Sequence, residues 1–464
     1  MAMQEKSQLF KRVRIALLLV LGSGALYLLI LNRQHDPRFY RFLGSAPGQF
    51  LDRVFNWSGD DAGLLDLADS EMSELEQSVK QQLERQIRQE WAPDIVRKIS
   101  GEEIRGEIVG ESSTHVTIKQ RFGNSGGMQF NIKRDEIVSI ERGVSDENPK
   151  VTYRDVKFQM EFPEMQLYRR PPYSILTSEK FLDVEDAVRT LENLHEDFMD
   201  NFGEIIFSEN RGKSIQLLFF GGEEEFTRYR REHAPNLGYS AGFYSPQADR
   251  LVVFDQKESI QIRELESELD QTYQQHRSAD KALRHDQSIR NWYERQKRNL
   301  SQMAESENFR ILRHEGAHQL FYTYGLHSAH HAENLWLIEG LAVYCETDPV
   351  GRTLAASRDL LLAAEQSQRL IAMTALINYR SPQGFGRLVR DGEIDIAYAQ
   401  SWGLVFYLMQ PERRVKFLQY IEYVRDPENT TAVAKADRLE LLCQITGEDP
   451  DTLLDNILEL LRRR

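Results

Sequence analysis

His314 and His318 stand four residues apart with Glu315 beside the first, so residues 314–318 spell His-Glu-x-x-His. On a helix, positions i and i+4 share a face, which would aim two imidazoles at one point with a carboxylate next to them. With 11 His and 72 acidic residues in 464, such a pentapeptide is expected by chance only about 0.04 times. A second stretch follows, Trp336-Leu337-Ile338-Glu339-Gly340-Leu341-Ala342, with 20 residues between His318 and Glu339. A chain that keeps both must pack two apolar helices face to face around polar groups.

Phe309, Leu312, Leu320 and Phe321 supply an apolar face for the first helix. Ser306 is placed to cap its start and Gly325 to end it. A buried helix carrying two histidines and a glutamate needs polar partners, and a metal ion supplies them. Glu339 lies among Leu335, Trp336, Leu337, Ile338, Leu341, Ala342 and Val343, where a carboxylate is costly unless paired or ligated. His314, His318 and Glu339 are therefore the candidate metal ligands, leaving a fourth position open. Glu315 is the candidate general base. Trp336 is expected to pack its own helix. His327, His330 and His331 read as a solvated loop, with a second ion as the alternative.

The two stretches together resemble the gluzincin zinc metallopeptidases (the peptidase MA-like superfamily), and most closely a poorly characterised bacterial gluzincin-like family. In that family a strand hairpin precedes the motif and a Tyr-Ala-Gln-Ser-Trp-like helix follows it, matched here by residues 242–254 and 398–402. The likeness covers roughly residues 170–460 and is strongest at the metal stretches. It implies an α+β, zincin-like catalytic domain: a mixed sheet, the His-Glu-x-x-His helix and a helical C-terminal half. It also implies one Zn2+ per chain, peptide-bond hydrolysis, and a peptide or protein substrate lying along the hairpin. A tyrosine downstream of the third ligand supplies an oxyanion donor in related enzymes, which points to Tyr398; Tyr244 is a second candidate, and packing is the plain alternative for Tyr398. The chain departs from the pattern in two places. Val343 stands where thermolysin-like members carry an acid, and no Gly-x-Met-Glu-Asn-like stretch precedes the motif, Gly242-Phe243-Tyr244-Ser245 lying in its place. A strict aminopeptidase is therefore not expected. The alternative is a catalytically silent zinc-binding module for docking or envelope structure.

At the other end, residues 15–31 carry no charge and are rich in leucine. As a helix they would reach about 25 Å, enough to cross a bilayer at the short end of the range. Lys6, Lys11, Arg12 and Arg14 precede them, which favours a cytoplasmic residue 1–14 segment and an inner-membrane anchor, with the rest of the chain periplasmic or extracellular. A cleaved signal peptide is the alternative. Net charge is −14, so no basic field exists to hold nucleic acid. Cys345 and Cys443 are the two cysteines and form no ligand cluster. They read as core thiols, with pairing open if the domain is exported.

Residues 32–92 divide into a tether and an amphipathic helix whose stripe runs Met72, Leu75, Val79, Leu83, Ile87, Trp91, more consistent with packing than with a coiled coil. Residues 93–148 alternate as four or five short strands and predict a small SH3- or Sm-like β-barrel. The metal-bearing domain spans 149–464, with strands expected at 173–177 and 215–220. A charged helical insertion at about 256–305 lies before the metal motif. Two exposed, solvated helices are the plain reading of this insertion, with a lid or partner-docking arm as the alternative; the barrel is the other place where a protein partner would dock.

Overall fold

The computed structural model describes residues 72–90, 94–112, 114–122, 126–141, 151–179, 181–207, 214–235, 240–246, 248–279, 287–327, 334–379, 385, 394–429 and 437–464. The segment expected to cross a membrane lies outside these residues. Among the described residues no helix is long and apolar enough to do so.

Helix α1 (Glu74–Glu90) packs on α2 (Tyr153–Glu161) with Leu83 buried and Met72 buried just before its start, while Leu75 of the expected stripe is exposed. Glu76 pins the two together, accepting from Tyr153 Oη at 3.2 Å and Lys157 Nζ at 2.5 Å. The Lys157 contact, helped by Ser73, holds the Glu76 carboxyl down at about 2.

Strands β1 (Asp94–Lys98), β2 (Glu103–Glu111), β3 (His115–Phe122), β4 (Gly126–Lys133) and β5 (Ile137–Glu141) form a five-stranded antiparallel sheet in the order β4-β3-β2-β1-β5. Alternation gives it a small core of Val96, Ile104, Val116, Ile118 and Ile132. Register shifts at Ile108/Gly110 and Arg97/Lys98 bend the strands. Among the described residues β4 does not pair with β5, so hydrogen bonding does not close the sheet into a barrel. An Arg105–Glu185 ion pair links it to helix α3 (Phe181–Phe202).

The second sheet has the order β6-β7-β8-β10-β9, from β6 (Gln166–Arg170), β7 (Tyr173–Thr177), β8 (Ile215–Phe220), β9 (Gly242–Ser245) and β10 (Arg250–Phe254). β7, β8 and β10 run parallel in the centre; β6 and β9 are antiparallel edges. Each central strand is buried along its whole length, which is why apolar residues dominate it, interrupted by Ser174, Thr177, Gln216 and Arg250. Helices α3 (Phe181–Phe202) and α4 (Glu223–His233) come from the β7–β8 and β8–β9 connections.

Helix α5 (Ile260–Ala279) leads to α6 (Gln287–Thr323), a single 37-residue helix that carries the metal motif. Ser306 is therefore mid-helix and caps nothing. The outer part of α6 leans on α5 through Leu265, Leu269 and Leu300, apolar contacts enough to continue the helix past the expected start. Its end is where expected: Gly325 adopts φ +75° and the chain folds back, Leu326 and His327 donating to the Phe321 carbonyl.

Beyond it the chain is helical: α7 (Leu335–Tyr344), α8 (Ala355–Gln366), α9 (Met373–Ile377), α10 (Ile394–Leu408), α11 (Arg414–Arg425), α12 (Arg438–Thr446) and α13 (Leu453–Arg462). The protein is thus α+β with a helical C-terminal half. α7 and α10 are buried almost all round, and their backbones touch. A Cβ on Gly340 would lie 2.6 Å from the Ser401 carbonyl oxygen, backbone that cannot rotate away. Gly340→Ala should therefore lower stability by about 2 kcal/mol or more, read as a lower denaturant midpoint at unchanged slope. A midpoint equal to that of the native protein would show that the helices separate without cost. Cys345 and Cys443 are buried and unpaired with each other.

Candidate metal centre

α6 passes beneath the edge strand β9, and α7 crosses its C-terminal end. Gly316 permits the close approach of α3 on the opposite side of α6, since a Cβ there would meet Leu191 at 2.8 Å and Leu194 at 3.0 Å. One face of α6 is thus locked in the core while the other presents His314 and His318 to α7. Their Nε2 atoms lie 3.4 and 3.7 Å from the same oxygen, Oε2 of Glu339. His314, His318 and Glu339 offer ligand atoms within 4.8 Å of one another and could hold a metal ion.

Arg313 fixes this crossing. Fully buried, it bonds Asp197 Oδ2 on α3 at 2.7 Å and the Cys345 carbonyl at the end of α7 at 2.8 Å. Asp197 Oδ2 also accepts from Val350 N–H at 2.9 Å. One ion pair therefore ties α3, α6 and the chain beyond α7, setting the register of Glu339 against the two histidines.

The second nitrogen of His314 is also engaged. Nδ1 lies 2.8 Å from Glu346 Oε1, and Arg310 Nη1 lies 3.8 Å from the same oxygen. A carboxylate on Nδ1 sets the tautomer, orients the ring and makes Nε2 the more basic ligand. Glu346 was not singled out from sequence. It lies two helical turns past Glu339, beyond the end of α7, so no helical pattern marked it; the only signal was a spacing of seven residues.

Electrostatics describe a place short of positive charge. Burial lowers the pKa of His314, but hydrogen bonds to Glu339 and Glu346 overcome this and raise it to about 10. Burial likewise raises Glu339, and its contacts with His314 and His318 outweigh that and hold it far below the usual carboxylate range. At neutral pH the metal-free pocket therefore stores a proton on His314 that ligation through Nε2 must displace. Binding of a divalent cation should release about one proton at pH 7–8, and affinity should rise with pH until it passes about 10. Calorimetry in buffers of different ionisation enthalpy measures this; binding with no proton release would place the metal elsewhere.

Glu315 points across α6 to the sheet edge, where Oε2 accepts the Tyr244 N–H of β9 at 3.2 Å. Tyr398, on α10, packs edge-on against Phe385 at 5.3 Å. Burial raises its pKa well above the ordinary tyrosine value, and the charges of Glu339 and Glu315 raise it further. The Tyr244 hydroxyl donates to Asp249 at 2.8 Å and is committed to the hairpin. His327 is buried against Phe321 and Tyr322 rather than solvated, while residues 330 and 331 lie outside the described residues. Trp336 is buried, 6.1 Å from the Tyr420 ring, as expected of a packing residue.

A family described as "Protein of unknown function (DUF1570)" matches residues 308–428, which contain His314, Glu315, His318, Glu339, Glu346 and Tyr398 but not Tyr244, Asp249 or α3. No curated protein matches the chain. No solved structure matches it either.

Proposed function

We propose that the chain is a zinc-dependent peptidase with a zincin-like domain, held at the inner membrane by residues 15–31 and working outside the cytoplasm. The observation that carries this reading is the convergence of His314, His318 and Glu339 with Glu315 beside them and Glu346 behind His314. Two ligands about 2.0–2.1 Å from a tetrahedral ion stand about 3.4 Å apart, against 3.4 and 3.7 Å between the histidine nitrogens and Glu339. Two imidazoles and a carboxylate with an open position are the donor set of a catalytic zinc.

Zinc bound there would polarise a carbonyl and lower the pKa of a water toward ~7. Glu315, steadied by the Tyr244 N–H, takes the proton as the water attacks and delivers it to the leaving amine. Tyr398 keeps its own proton because burial and the neighbouring carboxylates disfavour the phenolate, so its hydroxyl can donate to the developing oxyanion. β9 is an edge strand beside Glu315, and an extended peptide can add to it by main-chain hydrogen bonds. The anchor reading rests on the sequence of residues 15–31.

Metal analysis of the purified chain beside peptide-library cleavage tests the proposal. About one zinc per chain with cleavage is the expected result. Zinc without cleavage of any library would turn the reading to a silent docking module, and absence of zinc would sink both.

A further inference from the structure

The helix face that carries His314 and His318 continues for one more turn to Tyr322, four residues beyond the second histidine. Tyr322 is partly exposed, on a helix whose opposite face is sealed in the core. Burial raises its pKa above the ordinary tyrosine value, and the charge of Glu339 raises it further. Its ring rests on Tyr244 at 5.5 Å and 35°, and on His327 at 5.6 Å and 68°. Tyr244 is itself held fast. Its hydroxyl bonds Asp249, Asp249 bonds Arg154 at 2.8 Å, and its N–H bonds Glu315. A rigid aromatic surface thus flanks the proposed catalytic base.

We propose that Tyr322, backed by Tyr244 and His327, is the wall of a specificity subsite that selects an aromatic substrate side chain next to the scissile bond. This rests on the peptidase reading. A fixed, partly exposed ring offers an offset or edge-on partner to another ring, and such pairs add attraction beyond the area they bury. A branched aliphatic side chain gains the burial but not the ring pairing. Because Tyr244 and Tyr322 both lean on the elements that carry Glu315, a substrate ring seated there is also positioned against the base.

The test uses the zinc-loaded full chain and short peptide hydroxamates that differ only in one side chain, Phe, Leu or Ala. Binding is read by calorimetry, with thermal unfolding and zinc content followed in parallel. The native chain should hold the Phe member about fivefold more tightly than the Leu member. Tyr322→Phe should keep that ratio, since the ring remains. Tyr322→Leu and Tyr322→Ala should bring it to about one while zinc content stays the same. Equal binding of Phe and Leu members by the native chain, or a ratio that survives in Tyr322→Leu, overturns the proposal while the hydroxamates still bind. A ratio lost in Tyr322→Phe assigns the role to the hydroxyl and also overturns it. If no member binds the zinc-loaded chain better than the metal-free one, the peptidase reading itself fails, a result recognisably different from the others.

Discussion

Replacing Glu315 with Gln should lower peptide turnover by about 10²–10⁴-fold, the contribution a positioned general base makes. The substitution is close to isosteric. An amide oxygen can still accept the Tyr244 N–H that the carboxylate accepts now at 3.2 Å, so the side chain stays where it is. Glu315 is also not among the three converging ligands, so metal content should not fall. What disappears is the ability to take a proton from water and return it to the amine. The loss should fall on kcat with little change in KM, because substrate contacts along β9 are untouched. Steady-state kinetics beside metal analysis measures it. Turnover within a factor of three of the native chain, at equal zinc content, would remove Glu315 from the mechanism.

The ligand set was legible in the sequence because each residue contradicted its surroundings. Glu339 in an apolar run and two histidines on a helix face required a common partner, and the three do come together. The central strands were legible for a related reason: burial on both faces leaves a mostly apolar run such as Ile215–Phe220, interrupted only by Gln216. β6 went unassigned in the sequence, its Gln166–Arg170 stretch carrying two arginines and no clear apolar alternation. The structure buries Arg169 against Asp155, Ser174 and Ser214, polar partners scattered over the sequence. The start of α6 was misplaced for want of a tertiary term. Ser306 looked like a cap, but the leucine contacts with α5 carry the helix on to Gln287. Glu346 and Tyr322 were invisible as site residues because each is ordinary in its own segment, one an acid after a helix and the other an aromatic before a glycine. Only the tertiary arrangement shows their contacts, Glu346 with His314 where the chain leaves α7 and Tyr322 with Tyr244 of β9.

Glu346→Ala should weaken zinc binding by about 10- to 100-fold, the range expected when the partner of a ligating histidine is removed. Three effects set the size. Loss of the 2.8 Å contact frees the His314 ring to rotate away from Glu339. Loss of the carboxylate makes Nε2 less basic and removes a negative charge beside a dication. Against these, His314 would hold its metal-free proton less firmly, because Glu346 is one of the groups that raise its pKa, so less proton must be displaced on binding. Glu346→Gln separates the contributions. Its amide oxygen can still accept from Nδ1–H and orient the ring, so it should lie between Ala and the native chain, keeping the geometry and losing the charge. Competition against a chelator of known affinity measures all three proteins, and the protons released per zinc should fall in both variants. An Ala variant within twofold of the native affinity would mean that the packing of α6 on α7, held by Arg313 and Asp197, orients His314 unaided.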